Sequence, residues 1–301
     1  MNGLKQNMTK KLSIAELKYK ANDIRQDIIK MLLEAKSGHS AGPLDMTDVF
    51  TALYFNVLEH DSQNPSWSGR DRVVLSAGHI APVLYATLAE AGYFPVQETL
   101  TLRKLGSRLQ GHPHFGALPG LETTSGPLGQ GTSQAVGMAY ALRMDHSRSR
   151  VYCITGDGEL NEGQVWEAFM FAGKNKLHNL TFIVDRNNIQ IDGYTEDVMP
   201  LEPLRDKLEA FNLHVLEIDG HNMQAIIDAC HEAKAIYEKP TVIIAHTIAG
   251  KGVEFMEERF EWHGIPPGAS DVPGAPDKKE QGKIALEEIR TLRGQIRGEH
   301  E

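Results

Sequence analysis

The chain has 301 residues and a formal net charge of -9 at pH 7, with 41% hydrophobic and 24% charged residues. These values are ordinary for a globular protein with one large domain or two smaller ones. The negative charge argues against nucleic acid or an anionic membrane surface as a partner, and no apolar stretch approaches the ~20 residues that a membrane-spanning helix needs.

The N-terminal third predicts helices around one short strand. Residues 1–12 are polar and basic without an apolar run, so we expect a flexible N-terminus and no signal peptide. Ser13 and Glu16 have the spacing of a capping box, and apolar residues at helical spacing continue that helix to Lys36. The elements predicted next are a loop over 37–43, a helix over 46–57, a strand over 71–76, helices over 80–91 and 97–105, and a long loop over 106–131.

The rest of the chain alternates strands with helices. Strands are predicted over 151–155, 180–185, 213–218 and 241–246, and helices over 132–144, 160–176, 202–210 and 223–237. This alternation predicts an α/β fold with a doubly wound, mostly parallel sheet flanked by helices, over residues 13–265. Residues 266–301 are predicted to be a linker rich in Pro, Gly and Ala, followed by a charged C-terminal tail with a helix over 282–293.

The two cysteines do not predict a disulfide framework. Cys153 lies in a predicted strand and Cys230 in a predicted helix. Both are expected to be small buried hydrophobes, which indicates a reducing compartment and a cytoplasmic location.

A strand–turn–helix–strand unit carries the clearest chemical signal. Its first strand ends at Gly156-Asp157-Gly158, and its second ends shortly before Asn187. The intervening segment is long enough for a crossover helix, so both strand ends are expected at the carboxyl edge of the sheet, where α/β proteins bind ligands. A carboxylate and an amide oxygen suit Mg²⁺, and the glycine turn offers N–H groups to phosphate. Taken alone, the GDG turn is also typical of acidic strand ends in other α/β proteins.

Four of the 13 histidines lie beside glycine or in loops that follow predicted elements. They are His39, His79, His112 and His263. Imidazoles can hydrogen-bond sugar hydroxyls and phosphate oxygens, and they can move protons near pH 7. Each one taken singly is also compatible with an ordinary loop histidine. Five of the others are interpreted as structural or solvent-facing, and four are left open with a structural role favoured: His114, His214, His221 and His246.

Together these segments resemble transketolase over about residues 15–265. The matching stretches, in chain order, are KSGHSAGPLDM, DRVVLSAGH, GHPHF, LPGLETTSGPLGQG, GDGELNEG, VDRNNIQIDG and WHG. One departure stands out, because the family usually has SGHPG where this chain has His39-Ser40-Ala41.

The resemblance implies that thiamine diphosphate is bound through Mg²⁺, with Ca²⁺ or Mn²⁺ as substitutes. It assigns the metal to Asp157, Asn187 and the backbone carbonyl of Ile189. It assigns the cofactor to His79, Gly126, Pro127, Leu128, Gly158, Asn187, Ile191, Ile248 and His263. It assigns catalytic roles to His39, His112 and His263, which would contact the sugar, and to Glu162, which would lie at a subunit interface.

The resemblance also implies a partner. A full transketolase continues into a pyrimidine-binding domain that supplies the activating glutamate and the arginines for the substrate phosphate. The chain therefore resembles the N-terminal subunit of a split transketolase, inactive alone and completed by a C-terminal subunit in an α2β2 heterotetramer. The assembled enzyme would transfer a two-carbon ketol unit from a ketose to an aldose.

Three alternatives remain open at this point. The alpha subunit of a 2-oxo acid dehydrogenase E1 component carries a similar GDG…NN unit, but the SGH, AGH and GHP segments favour transketolase. 1-Deoxyxylulose-phosphate synthase is a weaker match, because it carries its pyrimidine domain on the same chain. A non-catalytic paralogue that only assembles with a partner is disfavoured by the intact Asp157, Asn187 and histidine set.

Overall fold

A five-stranded parallel sheet forms the centre of the computed structural model, which describes residues 11–298. Positions 1–10 of the predicted flexible N-terminus and residues 299–301 lie outside the described residues. The strand order is β1-β2-β3-β7-β6, which confirms the predicted parallel α/β sheet. The strands of this sheet are β1 (Arg72–Leu75), β2 (Val151–Gly156), β3 (Leu180–Arg186), β6 (His214–Asp219) and β7 (Thr241–His246), and β4 (Ile189–Gln190) and β5 (Gly193–Tyr194) form a small antiparallel pair.

Helices cover both faces of the sheet, as a doubly wound fold requires. The helices are α1 (Ile14–Ala35), α2 (Ala41–Asp45), α3 (Thr47–Ala52), α4 (Ala81–Glu90), α5 (Gln130–Met144), α6 (Gly163–Lys174), α7 (Thr195–Val198), α8 (Leu204–Ala210), α9 (Met223–Ala235) and α10 (Lys278–Gly298). One core lies under α1, α3, α4 and α9, and a second core lies under α5, α6 and α8 on the opposite face. The central strands β2, β3 and β7 are buried on both sides, which explains their apolar runs, whereas the edge strand β6 is partly exposed.

The capping box at the start of α1 is confirmed. The Ser13 hydroxyl accepts a hydrogen bond from the Glu16 N–H, and the Ser13 N–H donates to Glu16 Oε2 at 2.7 Å. These reciprocal bonds satisfy two of the backbone donors that a helix N-terminus leaves free.

The region around α2 differs from the prediction of a loop over 37–43 and one helix over 46–57. Helical backbone begins at Ala41, and α2, α3 and a π-helical turn (Leu53–Val57) follow in succession. Gly42 explains the difference, because a Cβ added there would lie 2.6 Å from Ile80 Cγ2. Close packing against the neighbouring segment therefore outweighs the loop-forming composition of this stretch.

Two other predicted helices are also shorter or differently wound. The helix predicted over 97–105 is a 3₁₀ helix, Val96–Thr101, and the chain leaves it through Arg103 at a φ of 58°. The helix predicted over 202–210 begins only at Leu204, because Pro203 occupies its N-cap position with extended backbone.

The C-terminal segment packs against α1. Where a helix over 282–293 is predicted in a charged tail, the structure has the longer α10, whose Ala285 and Ile289 are buried in the same core as α1. Asn22 of α1 donates its side-chain amide to the Ile289 carbonyl at 3.0 Å. Gln281 is fully buried and bonds to the Gly268 N–H and to two carbonyls of the preceding loop. The segment beyond residue 265 thus packs against the helical layer. The predicted domain boundary at residue 265 stays a prediction.

Both cysteines are free and buried, as predicted. Among residues 11–298, none of the helices combines the length and the apolar character that crossing a membrane requires.

Candidate active site

A cleft of about 260 Å³ opens at the carboxyl edge of the sheet, where the sequence predicts a ligand site. The turns after β1, β2 and β3 form its floor, and loops from distant parts of the chain form its walls. Eleven predicted site residues line it: His39, His79, His112, Gly126, Leu128, Asp157, Gly158, Asn187, Ile189, Ile191 and His263.

Asp157 is buried at the end of β2, and both of its carboxylate oxygens accept hydrogen bonds. Its Oδ1 accepts from the Gly158 N–H at 2.7 Å. Its Oδ2 accepts from the Asn188 N–H at 2.9 Å, from Thr195 Oγ1 at 3.2 Å and from Arg186 Nη1 at 3.0 Å. Burial raises the pKa of Asp157, but the Arg186 guanidinium and these donors oppose the rise. Oδ1 accepts only the Gly158 hydrogen bond from the described residues, so it keeps a lone pair for a cation at the edge of the cleft.

Asn187 lies beside Asp157 because β2 and β3 are neighbouring strands, with Gly156 paired to Asp185. Its amide nitrogen donates to Asp45 Oδ2 at 3.1 Å and to Asp185 Oδ2 at 2.8 Å. Its Oδ1 accepts from the Ile189 N–H at 3.1 Å. The amide oxygen thus lies on the side of the cleft, away from the two carboxyl groups.

Asp45 and Asp185 form a buried carboxyl pair beneath Asn187. Burial raises the pKa of Asp45, and the neighbouring Asp185 raises it further. Burial raises the pKa of Asp185 to about 8. The two groups therefore hold at least one proton between them at neutral pH, which limits the negative charge under the cleft.

The donor set at the edge of the cleft fits a hard divalent cation. It combines the Asp157 carboxylate, the Asn187 amide oxygen and the carbonyl of Ile189, whose side chain is anchored among Ala41 and Ala249. All of these ligands are oxygens, as Mg²⁺ prefers. Within residues 11–298, no group of three or more His, Cys, Asp or Glu side chains is placed to hold a metal ion. Any ion held in this cleft would therefore need the amide and carbonyl oxygens as well as Asp157.

Three imidazoles from distant segments meet on the opposite wall of the cleft. The ring centroids of His39, His79 and His263 lie 5.0 to 5.5 Å apart. Burial lowers the pKa of His39 to about 3 and that of His263 to about 4, and it lowers the pKa of His79 well below the usual value. All three rings are therefore neutral at pH 7, so they act as hydrogen-bonding groups rather than as cations.

Two of these rings have an open hydrogen-bonding atom. The Nδ1 atoms of His39 and His263 are buried and have no hydrogen-bond partner among the residues that the structure describes. A buried nitrogen without a partner is costly in a folded protein unless a ligand satisfies it. Both rings line the cleft, but these two nitrogens are themselves buried rather than exposed to it.

Ser40 joins the loops that carry two of the histidines. It is fully buried, and its hydroxyl lies 3.0 Å from the Trp262 carbonyl and 2.7 Å from the Ile265 carbonyl. These two carbonyls flank His263, and Ser40 itself follows His39. The departure from the family's SGHPG pattern thus places a hydroxyl where it connects the His39 loop to the His263 loop.

The long loop before α5 is fixed rather than solvated. The Ser125 N–H donates to the Pro113 carbonyl at 3.0 Å, and the Gly129 N–H donates to Glu159 Oε1 at 2.7 Å. His112 is exposed and lies over Gly126, since a Cβ added to that glycine would be 3.7 Å from the ring.

Gly158 keeps the backbone of the first turn close to the cleft. A Cβ added there would lie 2.9 Å from Gln190 Cγ. A side chain at this position would therefore displace Gln190, and the absence of one lets the turn after β2 lie directly against the cleft.

Three predicted site residues lie outside the lining of the cleft. Pro127 and Glu162 are exposed, and the Ile248 N–H donates to His221 Nε2 at 2.8 Å. Their assigned roles stay predictions.

The sequence interpretation missed Glu159, Asp185 and Asp45. Glu159 is buried in the cleft and accepts from Ser76, Gly129 and Gly156. Its position two residues after Asp157 in the same turn was the available signal. No local sequence pattern indicates a role for Asp45, because its hydrogen-bond partner Asn187 lies 142 positions away.

Comparison with known proteins agrees with this geometry. Residues 17–283 match the family model described as "Transketolase, thiamine diphosphate binding domain". The chain is 46% identical over 250 residues to the 6-deoxy-6-sulfo-D-fructose transketolase subunit SqwG of Clostridium sp. (strain MSTE9), covering 83% of this chain and 91% of that protein. It is 38% identical over 287 residues to an apulose-4-phosphate transketolase subunit from Phocaeicola vulgatus, covering 95% of this chain and 100% of that protein.

A crystal structure of transketolase from Campylobacter jejuni superposes with a TM-score of 0.81 at 31% identity, covering 95% of this chain and 48% of that one. The chain thus spans about half the length of that transketolase and nearly the full length of the two subunits. The predicted resemblance is confirmed: the chain belongs to the transketolase family, as a subunit built on its thiamine diphosphate-binding domain.

Proposed function

We propose that this chain binds thiamine diphosphate through Mg²⁺ and is one half of a split transketolase. With a partner chain that carries the pyrimidine-binding domain, it would transfer a two-carbon ketol unit from a ketose to an aldose. The observation that carries the proposal is the meeting of Asp157, Asn187 and Ile189 from successive strand ends, opposite three buried neutral imidazoles.

Asp157, the Asn187 amide oxygen and the Ile189 carbonyl would hold the metal. Mg²⁺ keeps some water ligands and takes phosphate oxygens for the rest, so three protein oxygens suffice. Mn²⁺ or Ca²⁺ would occupy the same oxygens. The fit is supported by the hydrogen bonds that hold both side chains in place and by the position of all three residues in the lining of the cleft.

The walls of the cleft would hold the cofactor. His79 and His263 would donate to the diphosphate, and Gly158 would lie against it at the turn after β2. When bound, thiamine diphosphate supplies the electron sink that cleaves the ketose. The remaining cofactor contacts proposed are Gly126, Pro127, Leu128, Asn187, Ile191 and Ile248.

His39, His112 and His263 would orient the sugar and exchange protons with its hydroxyls. Neutral imidazoles can both donate and accept, and the place of all three rings in the lining of the cleft supports this role. Burial keeps His39 and His263 neutral, whereas His112 is exposed.

The partner would complete the site. The two subunit-length relatives are named as subunits, and the longer transketolase is matched over only 48% of its length. We propose an α2β2 heterotetramer in which the exposed Glu162 meets carboxylates of a neighbouring chain. We also propose a cytoplasmic location, which the two free cysteines support.

The substrate would be a ketose with an anionic group at its far end. The relatives are named for a sulfo-sugar and for a sugar phosphate, which have a terminal anion in common. The residues that bind this anion would come mainly from the partner, so this chain alone leaves the sugar undecided.

Mixing experiments test the proposed function. We expect ketol transfer from a ketose phosphate only when this chain, its partner, thiamine diphosphate and Mg²⁺ are all present. The rate of the mixture should exceed that of either chain alone by about 100-fold or more, because half of the positioning groups are missing from each. Ketol transfer by this chain alone at the rate of the mixture would contradict the proposal. Oxidation of pyruvate without any ketol transfer would contradict it too.

Ser40→Ala tests the connection between the two histidine loops. Loss of the hydroxyl should lower the free energy of unfolding by about 1 kcal/mol and kcat/KM by about tenfold, because His263 loses its anchor. Ser149→Ala is a matched control, since Ser149 is also buried and also makes a side-chain hydrogen bond, but with Ser147 at the start of β2. Equal kcat/KM values for the two variants would show that Ser40 does not position the site.

The pH dependence of stability tests the neutral state of His263. Its folded pKa of about 4 is lower than its unfolded value of 6.5, so unfolding takes up a proton between these values and stability falls as pH falls. Between pH 7 and pH 5 the wild type should therefore lose about 2 kcal/mol relative to His263→Gln. Denaturant unfolding of both proteins at the two pH values measures this, and a difference that does not change with pH would contradict the assignment.

A further inference from the structure

We propose that Asp45 is a positioning residue for the metal ligand Asn187. Together with Asp185, it would hold the amide NH₂ group of Asn187 and so turn the amide oxygen toward the metal. The inference rests on the proposed function, because that function makes Asn187 a ligand.

The contacts of Asn187 permit only one orientation of its amide. Its nitrogen donates to Asp45 Oδ2 at 3.1 Å and to Asp185 Oδ2 at 2.8 Å. An amide nitrogen has two hydrogens, so both are used. Rotation of the amide by half a turn would break both bonds to the carboxyl oxygens and would turn the NH₂ group against the Ile189 N–H, so that two donors face each other. The carboxyl pair and the Ile189 N–H therefore determine which atom faces the cleft.

The amide oxygen keeps capacity for a cation. It accepts one hydrogen bond, from the Ile189 N–H at 3.1 Å, and an amide oxygen has two lone pairs. Asn187 also lines the cleft, where its second lone pair can reach a bound ion.

Three distant segments are needed to build this support. Asp45 is the last residue of α2, and it is fully buried. Asp185 lies at the end of β3 and is held in turn by Thr247 Oγ1 at 2.5 Å, from the loop after β7. The support therefore connects the helical layer to two strand ends at the point where the metal would bind.

The burial of Asp45 is costly, and its contacts with Asn187 and Asp185 offset only part of the cost. Its Oδ1 has no hydrogen-bond partner among the described residues, and a buried carboxyl group is costly to desolvate. A leucine, which has the same branching, would fill the space without this cost. Polar groups retained at such a cost are characteristic of functional sites.

Mn²⁺ titration of the full chain in the presence of thiamine diphosphate, followed by electron paramagnetic resonance, tests the proposal. Asp45→Leu should raise the Mn²⁺ dissociation constant about tenfold, as is typical when the support of a metal ligand is removed. Asp45→Asn should stay within about twofold of the wild type, because its amide can accept from Asn187 and donate to Asp185. Asp71→Asn is the control, since Asp71 is also buried but bonds to the Glu59 and Arg150 N–H groups at the opposite edge of the sheet.

The outcomes separate this inference from the proposed function. Absence of Mn²⁺ binding by the wild type would overturn both. Binding by the wild type and equal binding by Asp45→Leu would overturn only the role of Asp45, and so would equal losses in the Leu and Asn variants. If Asp45→Leu does not fold, Asp45→Ala supplies the same test, because it removes the same acceptor, with an expected rise of about tenfold in the dissociation constant. Unchanged binding by that variant would overturn the inference.

Discussion

The buried carboxylate of Asp157 is the constraint on which the candidate site depends. A charge in that position must be satisfied, and the donors come from its own turn, from the turn after β3, from α7 and from Arg186. These bonds connect the carboxyl ends of two adjacent strands. A shift of one residue in the pairing of Gly156 with Asp185 would turn Asn187 away from the cleft, so the register of the sheet is part of the site.

The side chains of the cleft supply little positive charge for an anionic diphosphate. The chain carries a net charge of -9, yet an anionic diphosphate must be attracted into the cleft. The histidines cannot supply that attraction, because burial keeps His39, His79 and His263 neutral at pH 7. The proton that Asp45 and Asp185 share limits the negative charge below the site. Positive charge for the diphosphate would therefore come mainly from the cation, with hydrogen bonds from imidazoles and backbone N–H groups determining orientation.

Local patterns were sufficient to predict the sheet and the main elements of the site. Continuous β-branched runs mark β2, β3 and β7, because these strands are buried on both faces. The GDG turn and Asn187, one crossover apart, predict that two polar side chains meet at one edge. The histidines were recognised by their glycine neighbours and by the resemblance to transketolase.

The remaining features depend on contacts that no local pattern shows. Asp45 lay outside every predicted site, and only the folded chain brings it to Asn187. Ser40 is recognisable in the sequence as a departure from the SGHPG pattern. Its hydrogen bonds to the Trp262 and Ile265 carbonyls are not, because they depend on a loop more than 200 positions away. The burial of α10 was not predicted for a related reason. Its few apolar residues are buried only because they pack against α1, which is distant in the sequence.

The most direct test of the account is the anomalous scattering of manganese in crystals of the chain grown with thiamine diphosphate and Mn²⁺. The account predicts one manganese peak about 2.1 Å from oxygens of Asp157, Asn187 and the Ile189 carbonyl, in contact with the diphosphate. A diphosphate bound without that ion, or a manganese peak held by other residues, would contradict it.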